Sequence, residues 1–509
     1  MANTINIPKT HLIMGLSLPL AVLLGYFLAE PMDLGNLAVV VFVLVVLAIP
    51  IMMRWYYPAL VLCWNAAITP VFLPGRPGLW AIVAIIGLLI AVFNRAVSAS
   101  ARFVIEPSIT KPLLVLTGVV VATGLMTGGF GLRMTGSDQY GGKHYFYFLA
   151  AVAGYFVFTS RRIPPHQSGW YVSVYFLAGL TSAIGILAAL GGSKLQYLQL
   201  IFSPALSLRE TDFGESLRGS ESMLRVTELA VAGAALYSYL LARFGISGVL
   251  DLTRPWRFLL LALAVAGGLL SGYRSFTVLF AILFAILFFL EGLHRTRLAP
   301  ALLGVMLLSI AVVLPQADKL PMVVQRSLSF LPGKFDYEAR RNAMASSEWR
   351  VDMWKLVLPE VPKALFRGRG WSVNAREFAS TVGITSREDR YASVIFSGNF
   401  HNGPLSVLIP FGLYGVIPFV WFLVAGLRML HRNWKYGSPE LYRVNTLLLA
   451  AFAARAIVFI GVYGALETDM AIFTGLLGLS VALNGAAVAP VPAESAATGV
   501  DLATEYIKA

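Results

Sequence analysis

Residues 401–427, HNGPLSVLIPFGLYGVIPFVWFLVAGL, decide the fold. After His401 and Asn402, a Gly-Pro pair opens a run that carries no charged side chain as far as Leu427. Roughly 17–25 apolar residues suffice to cross a bilayer core of about 30 Å. The segment before it, 316–402, is long and polar. The junction therefore reads as a chain re-entering a membrane, with an ionisable base at the mouth.

Comparable apolar runs recur from end to end. The chain is 58% apolar and 13% charged, with a mean hydropathy of +0.74. Soluble domains carry about twice that charge fraction. Spans are expected at 11–29, 34–53, 57–73, 79–94, 113–130, 145–160, 169–190, 223–243, 257–272, 275–291, 299–315, 403–427, 444–462 and 470–488. The fold class is all-α, a polytopic bundle of about 12–14 helices, because lipid offers no partner for open backbone groups. The run from His11 to Ala29 reads as a first membrane helix, not a cleaved signal, from its length and the spans that follow.

Alternate loops sort by charge. Arg54, Arg95, Arg161, Arg162, Arg243, Arg254, Arg295, Arg428 and Arg432 fall in one set, with few acids. Glu30, Asp33, Glu467 and Asp469 fall in the other. Basic loops stay cytoplasmic, which puts both termini inside and 316–402 outside, in the periplasm if the cell has an outer membrane. The expected organisation is 1–315, first part of the bundle; 316–402, external loop domain; 403–488, last part of the bundle; 489–509, a disordered cytoplasmic tail rich in Ala, Pro and Ser. The net charge of +13 reads as topology, not as a nucleic-acid surface. One cysteine, Cys63, excludes an intrachain disulfide or a cysteine metal site.

The external segment is not a linker. It holds Trp349, Trp354, Trp371, Phe366, Phe378 and Tyr391. Ser346 or Ser347 is expected to cap a helix that Pro359 stops after Leu358. Val351, Trp354 and Leu358 would share its buried face. A small, mostly helical cap results, with 191–222 joining it.

Several residues admit both a structural and a chemical reading. Arg274, in the turn Ser271-Gly272-Tyr273-Arg274, is either a snorkelling helix-end arginine or an anion ligand whose planar fork suits phosphate. Arg225 and Glu228 share a helix face: an ion pair, or a phosphate-binding arginine oriented by the glutamate. Arg350, expected in the first turn of the loop helix, is a solvated arginine or a further anion ligand, and Arg367 and Arg369 flank Gly368 as weaker candidates. Arg455 lies in mid-span, where charge must face the bundle interior; its role is structural or catalytic. His401, beside Asn402, can accept a proton from an attacking hydroxyl. No external histidine pair, Asp-x-Asp pair, phosphate-cradling glycine loop or Gly-x-Ser-x-Gly elbow occurs, so no metal and no cofactor is expected.

In order and type, these residues resemble the O-antigen ligase/polymerase superfamily of bacterial membrane glycosyltransferases. The resemblance rests on Gly272-Tyr273-Arg274-Ser275, then Arg350, Trp354 and Gly368-Arg369-Gly370-Trp371, then His401-Asn402, Leu405, Gly412 and Gly415. It covers roughly 220–430. It implies a GT-C-like helix bundle and a donor glycan on undecaprenyl diphosphate. It also implies His401 as base, Arg225, Arg274 and Arg350 on the diphosphate, and inversion at the anomeric carbon. The acceptor would be a glycolipid or glycan, lipid A-core for a ligase or another lipid-linked repeat for a polymerase. A transporter or flippase of lipid-linked sugars is the competing class, and would require inverted repeats with broken helices at matching depth.

Overall fold

The computed structural model describes residues 51–71, 73, 75–98, 102–131, 139–202, 225–374, 398 and 400–488, with 22, 25 and 43. Most of the expected spans 11–29 and 34–53, Phe378, Tyr391, positions 203–222 and the tail 489–509 lie outside them. The chain divides into two compact units, Met1–Tyr56 and Tyr57–Ala509. Every described position of the first is helical.

In the second unit, helix continues to Trp64. Then come α1 Leu79–Val97, α2 Pro107–Met126, α3 Gly142–Thr159, α4 Pro165–Leu177, α5 Ser182–Leu190, α6 Thr227–Val249, α7 Pro255–Leu270, α8 Arg274–Leu290 and α9 Leu298–Val313. In the polar loop segment come α10 Met322–Leu328, α11 Tyr337–Val357 and a single turn Val361–Ala364; α12 Gly403–Tyr436, α13 Tyr442–Gly461 and α14 Leu466–Asn484 close the described chain. Among the described residues, eight helices are long and apolar enough to cross a membrane, and α7 and α8 are shorter apolar helices. The protein is an all-α polytopic membrane protein. The described strands are a two-residue antiparallel pair, Gln139–Tyr140 against Val373–Asn374.

Polar groups inside the bundle pair with one another, because lipid cannot serve them. Asn445 Nδ2 donates to the Asn433 carbonyl at 2.9 Å and to Asn484 Oδ1 at 3.0 Å. Asn433 Nδ2 donates to Ser480 Oγ at 3.1 Å. These bonds join α12, α13 and α14 at the end of the bundle away from His401. Arg455 of α13 pairs with Asp469 of α14, which is fully buried. That pair occupies Arg455 in a contact between two helices.

The span expected over 57–73 stops being helical at Trp64, because 68–71 turn extended. The N–H groups of Thr69 and Val71 donate to the carbonyls of Ile201 and Leu200 at 2.7 and 2.9 Å. The described part of 191–222 is thus committed to 68–71 instead of the loop domain.

The loop helix also differs from expectation. It begins at Tyr337, and its cap is Asp336, whose carboxylate accepts from the Glu338 N–H at 2.8 Å. Ser346, Ser347 and Arg350 lie well inside it, so neither serine is the cap and Arg350 is not in the first turn. Its buried face runs through Ala339, Ala343, Met353 and Val357, the last two packed with Phe400, Leu405 and Ile409. Val351 and Leu358 are exposed. The buried stripe is offset from the expected one because the helix is held along its flank by Phe400 and the start of α12.

Gly412 welds the loop domain to the bundle. It breaks α12 part-way along, with φ 61° and ψ −161°, a conformation essentially restricted to glycine. The break frees backbone groups that the returning loop satisfies. Leu413 N–H donates to the Leu365 carbonyl at 2.7 Å, Arg369 N–H to the Ile409 carbonyl at 3.1 Å and Gly370 N–H to the Pro410 carbonyl at 2.8 Å. Gly368, also at positive φ (76°), lies against the Pro410 carbonyl so closely that a Cβ there would sit 2.2 Å from its oxygen.

Candidate active site

The site forms where three pieces of chain meet: the 271–274 turn, helix α11 and the 400–402 junction. The turn comes first. Val226 N–H donates to the Ser271 carbonyl at 3.1 Å, and the Tyr273 hydroxyl bonds Thr227 Oγ1 at 2.9 Å. These two contacts hold Arg225 beside the turn that carries Arg274.

Arg274 does not snorkel away. Its Nη2 donates to the Ala343 carbonyl at 3.0 Å and to Ser347 Oγ at 3.1 Å, so the guanidinium reaches from α8 to α11. Further along α11, Arg350 is half-buried and Trp349 packs its ring 5.2 Å from that of His401. Tyr463, just beyond α13, packs 5.4 Å from the same imidazole. Trp354 Nε1 donates to the Phe400 carbonyl at 3.0 Å, and Asn402 caps α12 by accepting from Leu405 N–H at 3.0 Å. His401 between them is held at φ 48°, a backbone region that non-glycine residues seldom occupy.

A fourth arginine joins the group. Arg326 of α10 is 3% exposed. Its Nε donates to Asn342 Oδ1 at 2.7 Å, and its Nη1 donates to the Gly272 carbonyl. Among the described residues no carboxylate pairs with Arg225, Arg274, Arg326 or Arg350.

The electrostatics follow. Burial, then the charges of Arg350 and Arg225, push the His401 imidazole down to about 4, so it is neutral at pH 7. Burial, then Arg225 and Arg274, push Arg326 down to about 10; it remains charged. Arg350 is lowered by burial and Arg225, against the raising effect of Tyr463. Mutual repulsion without a carboxylate counter-charge makes a site that an anion relieves.

Of the residues singled out from sequence, His401, Arg225, Arg274, Arg350, Tyr273 and Asn402 converge here. Others do not. Glu228 makes no ion pair with Arg225 among the described residues; its carbonyl accepts from Ser182 Oγ. Arg367 Nη2 donates to the Met126 carbonyl at 3.0 Å, at the end of α2. The Arg369 guanidinium lies 5.8 Å over the Phe400 ring. Arg455 is held by Asp469. Arg326, Trp349 and Tyr463 are not legible from sequence as neighbours of the site. For Tyr463 an aromatic at a span's outer end is the available signal; for Arg326 nothing local distinguishes it from its neighbours.

Residues 258–420 match the family model described as O-antigen ligase. That stretch, less than half of the chain, supports a place in the O-antigen ligase/polymerase superfamily. No curated protein matches it significantly. The O-antigen ligase region contains Arg274, Arg326, Arg350 and His401, whereas Arg225 and Tyr463 lie outside it. The match supports an O-antigen ligase- or polymerase-type membrane glycosyltransferase.

Proposed function

We propose that this chain moves a glycan from undecaprenyl diphosphate to an acceptor hydroxyl, lipid A-core or a similar glycolipid, on the outer face of the inner membrane. The observation that carries the reading is a neutral imidazole that feels the charges of Arg350 and Arg225, within a cluster of four arginines that have no carboxylate partner among the described residues. As the glycosidic C–O bond breaks, its electron pair passes to the diphosphate oxygen. Fixed arginines stabilise that growing charge more in the transition state than in the ground state. His401 takes the proton of the acceptor hydroxyl as that oxygen attacks the anomeric carbon from the opposite face, which inverts it. Guanidinium groups fill the charge-stabilising role, so no metal enters the scheme.

The free imidazole is a weak base because it is buried and because Arg350 and Arg225 act on it. A bound diphosphate offsets that charge and raises the imidazole's basicity. The base therefore becomes competent when the donor is in place. A polymerase, handing the glycan to another lipid-linked repeat, uses the same site and differs only in acceptor.

His401→Ala is expected to cut transfer by about 10²–10⁴-fold while membrane insertion and donor binding persist. Arg274→Lys is expected to be impaired as well, since an ammonium lacks the planar fork. Glycolipids of a strain lacking the gene discriminate the acceptor: polymerised but unattached glycan indicates a ligase, single repeats a polymerase. Undiminished transfer by His401→Ala would eliminate the proposed base.

A further inference from the structure

Three consecutive residues of the seven-residue helix α10 are polar and buried: Gln325, Arg326 and Ser327 are 1%, 3% and 0% exposed. Each is spent on a different neighbour. Gln325 Nε2 donates to the carbonyls of Asp318 and Leu320 at 3.0 and 2.8 Å, and its Oε1 accepts from Asp336 N–H at 2.7 Å, at the start of α11. Ser327 Oγ donates to the Leu269 carbonyl at 3.3 Å, at the end of α7. Arg326 bridges the Gly272 carbonyl and Asn342 Oδ1. The helix is thus a polar strut between one end of the bundle and α11.

Arg326 occupies the decisive place on that strut. The Gly272 carbonyl lies two residues before Arg274. Asn342 lies one residue before Ala343, whose carbonyl receives Arg274 Nη2. The contacts close a ring: Gly272 to Arg274 along the chain, Arg274 to Ala343 by hydrogen bond, Ala343 to Asn342 along the chain, and Asn342 through Arg326 back to Gly272. The same α11 presents Trp349 to His401 and carries Arg350. A buried guanidinium without a carboxylate is an expensive way to hold two elements together, and apolar packing would do that more cheaply. Its planar fork sets angle as well as distance.

We propose that Arg326 is a positioning residue for transfer: it locks the 271–274 turn to α11 so that Arg274 meets the donor's diphosphate at a fixed separation from Arg350 and His401. The inference rests on the diphosphate reading above. Arg326 itself touches no substrate; it acts through Arg274.

The test is a double-mutant cycle on the full-length protein in nanodiscs, with transfer kinetics and binding of inorganic diphosphate as readouts. Arg326→Gln is expected to lower kcat by 10–100-fold with a smaller change in the donor KM, and to weaken diphosphate binding. In an Arg274→Ala background the same substitution is expected to cost less than threefold more, because the residue it positions is gone. Arg326→Lys, which keeps the charge but not the fork, and Asn342→Ala, which removes one acceptor, are expected to give intermediate losses with the same dependence on Arg274. Full multiplicative losses in the Arg274→Ala background would overturn the proposal, as would loss of folding in all three variants, which makes the strut a stability element only. A wild-type protein that transfers glycan but does not bind diphosphate overturns the diphosphate reading instead, and the cycle on kcat still decides the positioning role.

Discussion

Gly412→Ala puts the weld between the loop domain and the bundle to the test. The residue sits at φ 61°, ψ −161°, where a Cβ-bearing residue is strained by about 1–3 kcal/mol. A Cβ built there would lie 2.1 Å from the Phe366 carbonyl oxygen and 2.4 Å from its carbon. These are backbone atoms, so relief requires moving the 365–370 segment, and overpacking of this kind costs about 1–3 kcal/mol. The two add to about 2–6 kcal/mol, comparable with the whole stability margin of a small domain. The damage falls on the hydrogen bonds from Leu413, Arg369 and Gly370 that dock the loop, not on membrane insertion. Gly118→Ala is the control: it lies within α2 with nothing within 4 Å of its Cβ, and gains about 1 kcal/mol of helix propensity. With both variants in nanodiscs, Gly412→Ala is expected to expose 361–374 to limited proteolysis, lower Tm and depress transfer, whereas Gly118→Ala matches or exceeds the parent protein. Equal protease resistance and equal Tm for the two variants would refute the reasoning.

The remaining expectations concern charge. The acid limb of kcat/KM, which reports the free enzyme, is expected near pH 4, because the lowered His401 imidazole stays neutral above that value and loses its base function as pH falls through it. The acid limb of kcat is expected at higher pH, because bound diphosphate offsets Arg350 and Arg225; coincident limbs in a pH–rate study would contradict this. Arg350→Gln removes one depressing charge and is expected to move the kcat/KM limb upward, and a limb that stays put or moves down would disprove the coupling. Asp469→Leu leaves Arg455 unpaired inside the bundle and is expected to cost about 3–5 kcal/mol. The double variant with Arg455→Met is expected to recover most of that in thermal unfolding; equal loss in both would show that the ion pair is not the cause.

Hydropathy makes the bundle readable from the sequence, because crossing a bilayer demands a run of apolar residues that is contiguous along the chain. The spans at 79–94, 223–243 and 299–315 reappear as α1, α6 and α9 with ends shifted by a few residues. Local chemistry also marks His401 and Arg274 as candidates, each close to a glycine at a helix boundary. The cap of α11 is not decidable locally, because Ser346, Ser347 and Asp336 are all competent caps; at Asp336 the backbone N–H is also held by Gln325 Oε1 at 2.7 Å, a partner from another helix.

The chain on its own determined that this protein spans a membrane many times and carries one large polar segment before its last apolar block. Only the tertiary structure decided which arginines lie together and which are spent elsewhere. Arg326 meets partners 54 and 16 positions away, Arg455 one 14 away, and Gly412 opens α12 for a loop that returns from 365–370. Apolar periodicity is a property of neighbours in sequence. Charge convergence depends on how separate helices pack, and no local pattern encodes that.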